Sequence, residues 1–209
     1  MSEDPATRSD SGKAQEDLVR AETHIPICAD AVFEFISDIE RLLRINPHLD
    51  IETWQRMPDG LRFAALNETT GRRIETVIRV AILQATHSVV LSYANGLKRT
   101  TTLAVERGDG DNCRLVVTEH YPVIADAQDA RVAEVDRSLI PWVNAIHCHL
   151  RDRKRWGWLP GWHWWSEDLL PGMAPRQRRI VRMIVWVSVL EFVVFLLVAA
   201  IFWAEQRGG

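Results

Sequence analysis

Cysteine is scarce in this sequence. Cys28, Cys113 and Cys148 are the only three in 209 residues, odd in number and far apart, which leaves no basis for a disulfide framework or a zinc ribbon. A reducing compartment fits that usage. A Gly-rich phosphate loop, a nucleophile elbow and an HExxH sequence are all missing, so the motif-borne routes to nucleotide binding, ester hydrolysis and zinc proteolysis are not marked. The opening residues MSEDPATRSDSGKAQED lack the basic start and apolar run of a secretion signal. Their polar, small and charged composition reads as a disordered tail over residues 1–17, and a domain without an export signal is expected to stay in the cytoplasm.

Long apolar runs are absent until the far end, where residues 180–203 read IVRMIVWVSVLEFVVFLLVAAIFW, interrupted only by Arg182, Ser188 and Glu191. At about 1.5 Å per residue such a segment is long enough for roughly 30 Å of hydrocarbon. A single transmembrane helix is expected there, followed by a short tail at 204–209. Arg176, Arg178, Arg179 and Arg182 crowd its amino-terminal flank, whereas the far flank holds Glu205 and Arg207. That asymmetry puts the amino-terminal side in the cytoplasm, a tail-anchored topology, in the inner membrane if the cell is bacterial.

The segment at 156–179 is rich in Trp and Arg. Trp156, Trp158, Trp162, Trp164 and Trp165 alternate with charge, Gly and Pro, and with Arg176, Arg178 and Arg179 they are expected at the membrane interface, where an indole ring and its N–H are both accommodated. Residues 151–182 carry eight Lys or Arg against three Asp or Glu, while residues 1–150 carry sixteen against twenty-three. The basic excess thus faces an anionic leaflet, and nucleic acid is not an expected partner. Glu191, near the middle of the span, is either protonated or paired, and it marks a contact with a partner helix in a membrane protein complex as one reading. No GxxxG stripe accompanies it.

Residues 18–155 form the expected globular domain. LVRAETHIPI (18–27) alternates like a strand, and AVFEFISDIERLLRI (31–45) has helical spacing, with Asp30 placed to cap it and Pro47 to end the region. Six strand-like segments follow, LDIETWQRM, LRFAALNET, RRIETVIRVAIL, HSVVLSYA, LKRTTTLAVER and CRLVVTEHYPV, separated by turn signals such as Asn95-Gly96. Short connections predict an antiparallel meander. A long helical stretch then carries Val132, Val135, Leu139, Val143, Ile146 and Leu150 on one stripe, with Pro141 expected to kink or divide it.

The segments IPICADAVFEFISDIERLLRINPHL and GLKRTTTLAVERGDGDNCRLVVTEHYPV, with the long final helix, resemble the helix-grip domains of the START, polyketide-cyclase and Bet v 1-like superfamily, SRPBCC. The resemblance implies an α+β fold in which a curved antiparallel sheet wraps around a long C-terminal helix, here followed by one transmembrane helix. It also implies an elongated apolar cavity for lipids, quinones or similar molecules. The pairing with a membrane tail is similar to the arrangement of the carbon monoxide dehydrogenase G subunits.

Trp54, Phe63, Tyr93, Tyr121, Trp142, Leu139, Val143 and Ile146 are the candidate cavity lining, and Arg99, His120 and Glu119 the polar candidates on strands. No spacing among these polar groups marks a catalytic set, so no catalytic residue is assigned and no cofactor is expected. His147, Cys148 and His149 are neighbours on a helix and cannot converge on one ion, so no metal site is expected. The leading reading is a membrane-held binding module for a hydrophobic small molecule or lipid. An accessory or assembly subunit of a membrane complex, and a cyclase- or aromatase-like enzyme, remain as alternatives.

Overall fold

The computed structural model describes residues 16–58, 60–68, 71–96, 98–122 and 130–208; side chains at 16, 17, 130–138, 168 and 208 lie outside that description. Most of the proposed tail therefore falls outside the described residues, as do the side chains of the stripe positions Val132 and Val135. Seven strands form one antiparallel sheet in the order β1-β7-β6-β5-β4-β3-β2. They are β1 (Glu16–Ile25), β2 (Leu49–Met57), β3 (Gly60–Asn67), β4 (Arg72–Leu83), β5 (Ser88–Tyr93), β6 (Thr100–Arg107) and β7 (Cys113–Pro122). Strand β1 begins two residues ahead of the alternating segment.

The strand periodicity is visible in the burial of β7, where Leu115, Val117, Glu119 and Tyr121 are buried and Arg114, Thr118 and His120 are less so. Alternate residues face opposite sides of a sheet, so the first set lines the concave face. On β4 the corresponding face carries Thr76, Ile78 and Val80. Gly60 sits where β3 meets β4, at φ 151°, and a Cβ there would lie 2.0 Å from the Ile78 carbonyl oxygen. Only glycine allows that approach.

Two helices, α1 (Ala29–Ser37) and α2 (Ile39–Arg44), stand where the sequence showed one helical stretch. Asp38 divides them: it adopts φ −84°, ψ 88°, and its carboxylate accepts the Arg41 N–H at 3.2 Å, capping α2. Asp30 is not the cap of α1. Cys28 holds that position without a side-chain bond, and Asp30, in the first turn, pairs instead with His87 at 3.0 Å and Arg107 at 3.3 Å.

Helix α3 (Ala130–Trp156) runs unbroken through Pro141. Its buried stripe of Leu139, Trp142, Val143, Ile146 and Leu150 meets Ile78, Leu91, Leu103 and Leu115 of the sheet and Phe35, Ile36 and Leu42 of α1 and α2. Burial of each such side chain contributes about 1.5–3 kcal/mol. This curved sheet closing on a long helix is the helix-grip arrangement.

Beyond a π-helical turn at Trp164–Leu169, helix α4 (Pro175–Gly208) extends for 34 residues. It is long and apolar enough to cross a membrane, with mean hydropathy 2.8 over its most apolar window and none of that window buried in the protein. Trp186, Phe195 and Phe202 all stand exposed on it.

Candidate functional site

Phe63, Leu139, Trp142, Val143 and Ile146, expected to line a cavity, are buried in the hydrophobic core cluster. Clefts open at the edge of the sheet. A cleft of about 790 Å³ lies between the α1–α2 junction and strands β2, β3 and β4, with Ile39, Trp54, Met57, Leu61, Val80 and Ile82 supplying its apolar wall. Met57 and Ile82 remain 42 % and 46 % exposed. Trp54 stacks near Phe63 with ring centroids 6.2 Å apart, and its buried indole N–H has no acceptor among the described residues.

A second cleft, of about 470 Å³, adjoins the first. Asp38, Glu40 and Arg56 line both, and the second adds Arg41, Arg44, Glu167, Pro171 and Gly172. Pro171 and Gly172 belong to the segment that leads into α4. One groove therefore passes from an apolar wall, across charge, to the foot of the apolar helix.

That foot is clamped to the domain. Glu167 accepts a hydrogen bond from Arg41 at 2.9 Å and lies 3.6 Å from Arg153 and 3.4 Å from His163. Burial acts to raise its carboxyl, but Arg41, His163 and Arg153 outweigh that and hold it below the ordinary range. Arg178 donates to the Arg44 and Met173 carbonyl oxygens, and Glu68 accepts from Arg179. Leu170 is buried beneath this strap. Arg178 and Arg179, expected to face lipid headgroups, thus have protein partners. Of the tryptophans, Trp158 and Trp164 are exposed, whereas Trp156 and Trp162 lie 6.3 Å apart and are, like Trp165, partly buried.

A polar cluster lies deeper on the concave face. Lys98 pairs with Glu119, whose side chain is fully buried, and the Tyr121 hydroxyl donates to the other Glu119 oxygen. Thr101 donates to the Tyr93 hydroxyl at 3.3 Å, and Lys98 Nζ lies 5.7 Å from the ring centroids of both Tyr93 and Trp142. Burial raises the Tyr93 phenol despite the nearby ammonium, which keeps it protonated. Burial acts to lower Lys98, yet it remains raised overall, with the charge and hydrogen bond of Glu119 favouring the ammonium.

The structure thus brings together Tyr93, Tyr121, Trp142 and Glu119, places Trp54 at the cleft, and separates Arg99 and His120 from both. Arg99 is exposed, because Lys98 takes the inward position, and His120 alternates away from Glu119. Lys98 was not singled out from the strand-like segment LKRTTTLAVER, and in the structure β6 begins only at Thr100, which leaves Lys98 and Arg99 in the connection before it. Among the described residues, no three His, Cys, Asp or Glu side chains gather as metal ligands. His147 and His149 diverge, one bonded to Thr23 at 3.2 Å, the other stacked on Phe35 at 5.2 Å.

No protein-family model and no curated protein matches the sequence. Solved structures do match in three dimensions. The Zhui aromatase/cyclase from Streptomyces sp. R1128 superposes with a TM-score of 0.56 at 16 % identity, over 68 % of this chain and 97 % of that one. A START superfamily protein from Mycobacterium smegmatis gives 0.52 at 15 %, over 66 % and 99 %. A norcoclaurine synthase point mutant from Thalictrum flavum, in complex with a transition-state analogue, gives 0.50 at 13 %, over 67 % and 97 %. At these identities the likeness establishes the fold.

Proposed function

We propose that this chain, which has the SRPBCC helix-grip fold, is a membrane-anchored binding module for a hydrophobic small molecule, acting without catalysis. In this reading α4 is a tail anchor, and the globular part faces the cytoplasm. The observation that carries the proposal is the continuous groove, whose apolar wall at Trp54, Leu61 and Val80 leads past Arg41 and Arg56 to Pro171 and Gly172 at the foot of the apolar helix. A lipophile leaving a bilayer would meet the charged stretch first and settle against the apolar wall. Tethering keeps the local concentration of such ligands high.

The test uses the full-length chain purified in mild detergent, with bound molecules extracted and identified by mass spectrometry. Near-stoichiometric apolar ligand is expected from the native chain, and little from a Met57→Asp/Ile82→Asp variant, whose two changes sit on exposed cleft wall. Equal, trace amounts from both would overturn the proposal.

Glu191 favours a second reading. It is exposed on α4 within the apolar stretch and has no partner among the described residues, as an anchor contacting a helix of a membrane complex would require. A stoichiometric partner retained in mild detergent and lost in Glu191→Leu supports an accessory or assembly role, and unchanged association removes it.

A further inference from the structure

Arg178 holds a cation where the domain meets α4, with no carboxylate bonded to it. Its Nε–H donates to the Met173 carbonyl oxygen and its Nη1 to that of Arg44. Both acceptors are neutral, so they fix the guanidinium in place and leave its charge uncancelled. A guanidinium carries five N–H donors, of which these bonds use two. Glu68, the acid that grips the same helix end, has both oxygens engaged already, by Arg179 and by the Arg176 backbone N–H. Asp50 acts on Arg178 through its charge and forms no ion pair with it. Arg182 lies four residues on, on the same side of α4, and has no ion-pair partner among the described residues. Two like charges at that spacing repel, and an anion between them relieves the repulsion.

We propose that Arg178 and Arg182 together bind the phosphate of one anionic phospholipid at the foot of α4. The proposal rests on the anchor half of the reading above and does not depend on what the groove holds. Depth selects a lipid as the source of the anion. Ile180 opens the apolar run, two residues after Arg178 and two before Arg182. At about 1.5 Å per residue, each arginine stands about 3 Å along the helix axis from the start of that run. Long side chains at such a boundary carry their charge to the headgroup layer, where phosphate is the anion present.

Charge then selects among lipids. A phosphatidylcholine phosphate brings its own cation, which repels the two guanidinia, whereas a headgroup with net negative charge completes them. Space for a headgroup exists beside the pair. The cleft of about 470 Å³ is lined there by Arg44, Pro171 and Gly172, and Arg44 is the residue whose carbonyl positions Arg178.

The experiment reconstitutes the full-length chain into vesicles of phosphatidylglycerol and phosphatidylcholine in equal amounts, with matched acyl chains. The chain is recovered in mild detergent, and the phospholipid that stays with it is counted by native mass spectrometry. One phosphatidylglycerol per chain is expected, enriched over phosphatidylcholine about fivefold or more. Arg182→Gln, which breaks no contact within the domain, should reduce that enrichment severalfold, and Arg178→Gln/Arg182→Gln should abolish it. Arg155→Gln/Arg207→Gln removes the same charge elsewhere and should leave it unchanged. Met57→Asp/Ile82→Asp should leave it unchanged as well, and loss of enrichment in that variant would put the lipid in the groove and overturn the site. Equal retention of the two lipids by the native chain, or enrichment that survives the double arginine variant, would overturn it too, while the lipophile reading stands or falls on its own extraction test. Glycerol 1-phosphate added in solution should not displace the lipid; displacement would assign the arginines to a soluble phosphate ester and overturn the lipid site. A chain that does not float with the vesicles would remove the anchor, and this proposal with it.

Discussion

Glu68, in the turn just after β3, accepts a hydrogen bond from Arg179 at 2.7 Å and another from the backbone N–H of Arg176 at 3.1 Å. An acidic residue in the turn just after β3 thereby satisfies an open N–H in the first turn of the apolar helix and meets the positive end of its dipole. The domain is held against the apolar helix by contacts on the strap and on the helix itself.

Glu68→Ala should loosen that grip without unfolding the domain. Arg179 is largely exposed, so the pair contributes no more than about 1 kcal/mol to overall stability. Trypsin cleavage after Arg176, Arg178 and Arg179 should accelerate severalfold in the variant, with the thermal midpoint nearly unchanged. Cleavage at the native rate would show that the clamp is held elsewhere.

The Lys98–Glu119 pair makes a sharper energetic prediction. Removing one member of a buried ion pair leaves an uncompensated charge and costs about 3–5 kcal/mol, whereas replacing both can be close to neutral. Lys98→Met and Glu119→Leu alone should each lower the thermal midpoint strongly, and the double variant should recover most of the loss. Additive losses in this cycle would mean that the two side chains do not act as a pair.

Much of the sheet was legible because its period is simple. RRIETVIRVAIL alternates over its whole length and becomes β4 (Arg72–Leu83) with the same ends, and LDIETWQRM becomes β2 (Leu49–Met57) in the same way. The α1–α2 break was hidden, because the apolar spacing of the two helices continues across Asp38 while its backbone does not. The site was less legible still. Glu119 could be singled out as a polar residue on a strand, but its partner Lys98 sits in an irregular connection. Arg178 and Arg179 were placed at the membrane interface by composition, and their hydrogen-bond partners Arg44 and Glu68 lie 134 and 111 residues away in sequence. Local pattern carries no information about contacts of that range.

His149 gives the domain a defined acid sensitivity. Burial is the main cause that pushes its imidazole down to about 4, with Arg41 and Arg153 adding to the effect and Glu167 and Asp152 opposing it. Its buried Nε2 has no partner among the described residues, consistent with a neutral ring. A depressed value means that the unfolded chain takes up the proton first. Stability from this group is therefore complete above the unfolded value near 6.5 and is lost as pH falls toward 4, by on the order of 3 kcal/mol. In His149→Phe, which preserves the stack on Phe35, the thermal midpoint should vary less than the native one between pH 6.5 and 4. A native and a variant profile of the same slope over that window would exclude His149 as the cause.

The native cysteines allow the proposed topology to be tested without adding a tag. Cys28 and Cys148 are exposed on the globular domain, and Cys113 is buried in the sheet. All three precede α4, so a membrane-impermeant maleimide reports on one side only. In sealed vesicles with the cytoplasmic face outward, two cysteines per chain should be labelled before detergent is added. In vesicles of the opposite orientation, labelling should wait until the membrane is opened. The flanking charge predicts that order, because Arg176, Arg178, Arg179 and Arg182 stand on the domain side of the apolar helix. Two of these arginines are also held by the domain through Arg44 and Glu68, so the folded clamp and the charge asymmetry act in the same direction. Immediate labelling in the second kind of vesicle would invert the topology, and with it the side of the membrane from which the groove is filled.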